Sequence, residues 1–208
     1  MNNYELRLKA REALSGKWGA AVIVFFIYGL IGSALNALFT GIFIIPMFLV
    51  TVPLTYGLHY AYLKLIRGDA PKVEDLFTGF RDYIRVVVTG VLMSVFIFLW
   101  SLLLIVPGII AAISYSMTYF ILMDDKDITY NDAIKLSKEM MNGHKMQFFL
   151  LMLSFIGWSL LSVLTFGIGF LWLGPYIYTS IAALYEELKV GNSGAEIIDV
   201  QEPEELLE

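Results

Sequence analysis

The sequence contains no cysteine, only 2 histidines and 6 prolines, and charged residues make up just 16% of its 208 positions. The missing cysteine excludes a disulfide framework, a thiolate metal site and a cysteine nucleophile. The scarcity of charge, against about 25% in ordinary soluble domains, leaves too little polar surface to cover a chain that is 58% hydrophobic. No Walker loop, GxSxG elbow, HExxH pair or glycine-rich dinucleotide fingerprint occurs. An enzyme is therefore not expected and no cofactor is called for; lipid chemistry by carboxylates at a membrane edge is the least favoured reading. The formal net charge of -5 offers little to a nucleic acid. The N-terminal residues do not resemble a cleaved signal, because six charges precede Trp18 and no small-residue cleavage site follows the apolar run.

What is present is one-sided charge. Residues 18–63, 86–123 and 148–185 hold no Asp, Glu, Lys or Arg. One spanning helix needs about 20 apolar residues, so each stretch is long enough for two helices and a short turn. Turn chemistry stands near the middle of each: Thr40-Gly41, Val106-Pro107-Gly108 and Thr165-Phe166-Gly167-Ile168-Gly169. Each hairpin returns the chain to its starting side, so the four charged segments share one face. Lys and Arg number 4, 5, 4 and 1 in residues 1–17, 64–85, 124–147 and 186–208, which assigns that face to the cytoplasm. The expected fold is all-α: a multi-pass protein of a bacterial plasma membrane, with six transmembrane helices as three hairpins and both termini cytoplasmic.

Read with the polar segment before it, each hairpin forms a unit, giving 1–68, 69–124 and 125–190 within one membrane domain, a possible threefold repeat. The remaining residues, 191–208, read as a flexible acidic cytoplasmic tail. Each unit opens on an amphipathic segment. Leu6, Ala10, Ala13 and Leu14 share a face in the first; Val73, Leu76, Phe77, Phe80 and Ile84 keep helical spacing in the second; in the third, Thr129 and Asp132 make a capping box before Ala133, Ile134, Ser137 and Met141. Such helices would lie in the inner interface or pack on one another as a small cytoplasmic cap.

Ionisable groups within the spans would mark a relay or ion path, and the three long stretches have no carboxylate, lysine or arginine. His59 stands one turn before Lys64 with no second metal-ligand candidate nearby, which favours an interfacial or hydrogen-bonded histidine. Asp124, Asp125 and Asp127 lack calcium-loop spacing and read as a solvated connector. Pro46 and Pro53 hint at a broken span. No catalytic, cofactor or metal residue emerges. The candidate lipid-headgroup contacts are Lys17, Trp18, Arg67, Arg81, Arg85, His144 and Lys145, because basic groups near the surface attract anionic lipid. Membrane lipids are thus the expected partners, with membrane or cytoplasmic proteins as a further class.

Several stretches carry a family likeness. Ala133-Ile-Lys-Leu-Ser137, Met140-Met141-Asn-Gly143-His-Lys145 and Leu153-Ser154-Phe155-Ile156-Gly157-Trp158 resemble an uncharacterised bacterial family, the domain of unknown function nine-seven-five. Ala10 through Gly19, Leu76-Phe77-Thr78-Gly79-Phe80 and Leu171-Trp172-Leu173-Gly174-Pro175-Tyr176 resemble it too. The resemblance implies a bacterial plasma-membrane protein and carries no activity. The layout is also loosely similar to the membrane portion of some bacterial glycerophosphodiester phosphodiesterases, without their hydrolase domain. The leading expectation is a non-enzymatic membrane protein that organises lipids or partner proteins at the cytoplasmic face. The runner-up is a small transporter or channel for an apolar or amphiphilic compound.

Overall fold

A computed structural model describes residues 2–38 and 44–201, and among these every regular element is helical. The turn expected at Thr40-Gly41 and the last part of the acidic tail, 202–208, lie outside the described residues.

The polar segments fold as their patterns require. Helix α1 (Asn3–Leu14) opens on a capping box in which the Asn2 side chain accepts from the Glu5 amide at 2.9 Å and the Glu5 carboxylate accepts from the Asn2 amide at 2.9 Å. Leu6, Ala10 and Leu14 are fully buried, one stripe at helical spacing. Gly16, at φ +74°, turns the chain into α2 (Trp18–Leu38). Helix α3 (Ile44–Ile66) brings it back, with Pro53 inside.

The next polar segment departs from a regular α-helix. Val73–Phe80 forms a 3-10 helix laid along α3, with Leu76 buried and Phe77 and Phe80 exposed. Close backbone contact with α3 at Gly57 and Gly79 holds it there.

The second apolar stretch gives α4 (Tyr83–Leu103), α5 (Ile105–Ser114) and α6 (Thr118–Asp124). The hairpin bends at Leu104, three residues before Pro107, which sits instead in the first turn of α5. That position suits proline, since a first-turn N–H has no helical acceptor to lose. Helix α7 (Tyr130–Met140) starts at Thr129, whose hydroxyl accepts from the Asp132 amide at 3.3 Å, and it buries Ala133, Ile134 and Ser137 as expected. The third apolar stretch becomes α8 (Lys145–Leu153), α9 (Ile156–Leu164) and α10 (Phe170–Gln201), which carries Pro175 and continues into the segment expected as tail.

Among the described residues, four segments are long and apolar enough to cross a membrane: Trp18–Leu38, Tyr83–Leu103, Ile105–Asp124 and Lys145–Leu164. The α3 and α10 legs are not in that set. Both run through the core, where Leu58, Tyr62, Leu65, Ala182, Leu184 and Tyr185 are buried.

Near the charged segments, Leu6, Leu14, Leu76, Phe120, Leu122 and Met141 are fully enclosed. At the opposite ends Leu102, Leu103, Ile105, Leu164 and Phe166 stand exposed. Apolar surface of this extent marks a face that meets membrane or another protein.

Candidate functional site

Two features stand out: an ionic clasp joining the returning chain ends, and a groove beside α1.

The clasp centres on Asp124, the last residue of α6, whose side chain is only 14% exposed. One Arg67 nitrogen donates to both of its oxygens at 2.7 and 2.8 Å; Lys189 donates at 2.6 Å and the Tyr185 hydroxyl at 2.8 Å. Arg67 also donates to Glu186 at 2.8 Å. The partners follow α3 or sit on α10, so one carboxylate ties together the ends of the three returning legs. Burial alone would lower the Arg67 pKa, but the bonds to Asp124 and Glu186 hold it above the ordinary guanidinium value.

A second arginine braces the connector that follows. Arg85 pairs with Asp82 at 2.7 Å and donates to the carbonyls of Leu122, Asp125, Lys126 and Ile128. Asp125 accepts from the amides of Asp127 and Ile128 at 2.9 and 3.1 Å, which folds this acidic stretch into an Asx turn.

The other expected headgroup contacts are spread over the same end. Lys17 donates to the Gly68 carbonyl, and His144 meets Gln147 at 3.2 Å. Arg81 and His144 are exposed, whereas Lys145 and Trp18 are half-buried. Only Trp18 among the seven reaches the groove. His59 lies deeper in α3, with Nδ1 2.8 Å from the Thr55 carbonyl and its ring edge-on to Tyr119, Phe120 and Tyr178 at 5.5, 5.3 and 5.2 Å. Its surroundings are aromatic packing.

The groove encloses about 580 Å³ and is built from three helix faces. Tyr4, Arg7, Leu8 and Arg11 come from α1; Trp158, Leu161, Ser162 and Thr165 from α9 and its end; Gly169, Trp172, Leu173 and Tyr176 from the start of α10. Each set has the spacing i, i+3, i+4, i+7, the register of a single helical face. Trp18 closes the side, so three of the chain's 4 tryptophans line it. Among the described residues the two arginines are its only charged lining. Ser162 and Thr165 direct their hydroxyls to the carbonyls of Trp158 and Ser162 at 2.8 Å each, leaving a mainly apolar wall.

The arginine faces of α1 are held in place from both ends. Asn3 donates to the Gln147 carbonyl at 3.2 Å, while Lys17 reaches the residue after Arg67. Nothing local in the sequence points to this site, because only the fold brings Arg7 and Trp172 to one groove. A clue was available in the period: Trp158 and Leu161, like Trp172 and Tyr176, repeat on one face of their helices.

A family model described as "Protein of unknown function (DUF975)" matches residues 1–114 and 102–192. No curated protein and no solved structure matches the chain.

Proposed function

We propose that the chain, which belongs to the DUF975 family, is a non-enzymatic integral membrane protein that organises anionic lipid at the cytoplasmic face of a bacterial plasma membrane. The observation that carries this reading is the distribution of charge and exposure: ionic groups are confined to the four polar segments, and exposed leucines, isoleucines and phenylalanines run along the charge-free stretches between them. Four long apolar segments support membrane insertion. With α3 and α10 taken as return legs, the topology is six spans in three hairpins with both termini inside. The clasp supports a threefold arrangement, since Arg67, Asp124 and Glu186 stand at corresponding ends of the three units. Exposed Arg81, together with Lys17 and Lys145, supplies positive charge for headgroups, each worth about 1 kcal/mol near an anionic surface. Cytoplasmic or membrane protein partners would dock on the same end.

The reading is tested in two steps. The chain has no cysteine, so single cysteines introduced at Asp69, Asp127 and Ile105 can be labelled with an impermeant reagent without background. The first two should react only from the cytoplasmic side and the third only from outside. Purified protein should then prefer nanodiscs of phosphatidylglycerol over phosphatidylcholine. Equal partition between them would refute the lipid-organising role.

The groove favours a second reading, a small transporter for an amphiphilic compound. Proteoliposome uptake that depends on the protein would select it over the first.

A further inference from the structure

We infer that the groove between α1 and the α9–α10 hairpin is a site for one anionic glycerophospholipid, with its phosphodiester on Arg7 and Arg11 and an acyl chain against Trp158, Leu161 and Trp172. This deepens the lipid-organising reading and rests on it.

The Nε of Arg7 is buried and has no hydrogen-bond partner among the described residues. A buried cationic donor left without an acceptor costs free energy, so this position favours an acceptor beyond the described residues. Arg11 lies one turn away on the same face. Among the described residues no carboxylate lines the groove to neutralise either group. Two planar guanidinium forks at this spacing suit the oxygens of a phosphodiester.

The rest of the lining suits an acyl chain. Beyond the arginines the walls turn apolar, with Trp158, Leu161 and Trp172 each half or more exposed. Indole rings beside a basic cluster match the boundary where headgroups meet acyl chains. A soluble anion would satisfy the arginines and leave these side chains uncovered. A purely apolar guest would cover the tryptophans and leave the Arg7 donor unmet. An anionic amphiphile does both. The capping of α1 and its ties to Gln147 and Gly68 hold the arginines in place before a ligand arrives, which lowers the ordering cost of binding.

The test uses full-length protein extracted in mild detergent, with retained lipid counted by native mass spectrometry after exposure to phosphatidylglycerol or phosphatidylcholine. Wild type should keep one phosphatidylglycerol. Arg7→Gln with Arg11→Gln should weaken retention about tenfold or more, the equivalent of one lost charge-assisted bond. Leu161→Trp, which fills the apolar wall and leaves both arginines intact, should weaken it as well; this variant also covers the case in which the arginine variant fails to fold. Lys135→Gln, on the exposed face of α7, should retain lipid as wild type does. Inorganic phosphate at millimolar concentration should not displace the lipid. Undiminished retention in both groove variants overturns the site while the nanodisc preference still stands. Displacement by phosphate would show a headgroup-only anion site and overturn the acyl-chain assignment. Loss of the nanodisc preference in wild type removes the broader reading and this one with it.

Discussion

Gly57 of α3 and Leu76 of the 3-10 helix meet backbone to backbone: a Cβ at Gly57 would stand 2.1 Å from the Leu76 carbonyl oxygen. Gly79 makes the reciprocal approach, 2.3 Å from the Pro53 carbonyl oxygen. The two glycines let residues 73–80 lie flat on α3. Gly57→Ala is expected to lower stability by about 1–3 kcal/mol, the usual range for forced overpacking. Thermal unfolding in detergent would show this as a reduced midpoint, and Gly79→Ala should behave alike. An unchanged midpoint in both would mean that the segment does not seat on α3.

Asp124→Asn removes the one negative charge shared by Arg67 and Lys189. The expected cost is about 1–3 kcal/mol, below the roughly 3–5 kcal/mol of a fully enclosed pair, because the Arg67 and Lys189 side chains remain 40% and 44% exposed. A double-mutant cycle with Arg67→Gln should be clearly non-additive. Additive losses would show that the two residues are not coupled.

Tyr83 donates its hydroxyl to the Leu49 carbonyl at 3.3 Å. That carbonyl needs a donor because Pro53, four residues on, has no N–H to offer it. Tyr83→Phe should cost about 1 kcal/mol. Adding Pro53→Ala should return the loss by restoring a helical N–H, and denaturant titration of the single and double variants checks it. No recovery in the double variant would break the link between the two positions.

Phe166, at φ 53°, is the one non-glycine residue with positive φ among those described, and it is fully exposed. Phe166→Asn should raise stability by up to about 1 kcal/mol, since asparagine accepts the left-handed conformation more readily. A lower unfolding midpoint would assign the ring a packing role.

Much of the architecture was legible because it rests on local pattern. The stripe of Leu6, Ala10 and Leu14, the cap at Thr129 and the apolar helices follow from spacing and composition, which survive whatever else the fold does. Other parts depend on contacts between distant residues. The pattern of Val73, Leu76 and Phe80 promised an amphipathic α-helix, but the fit of Gly79 against Pro53 held the segment as a 3-10 helix instead. Arg67 and Arg85 looked available for headgroups because their partners, Asp124 and the carbonyls after it, lie far along the chain. The pairing of Arg7 and Arg11 with Trp158 and Trp172 was hidden for the same reason.

The clasp also has an order in time. Arg67 and Asp124 are synthesised well before Glu186 and Lys189, so a growing chain carries the Asp124 carboxylate without its lysine until the last helix emerges. Closure therefore reports that the final hairpin has arrived, and a chain stalled or truncated before Lys189 would expose an incompletely neutralised acid at the end of α6.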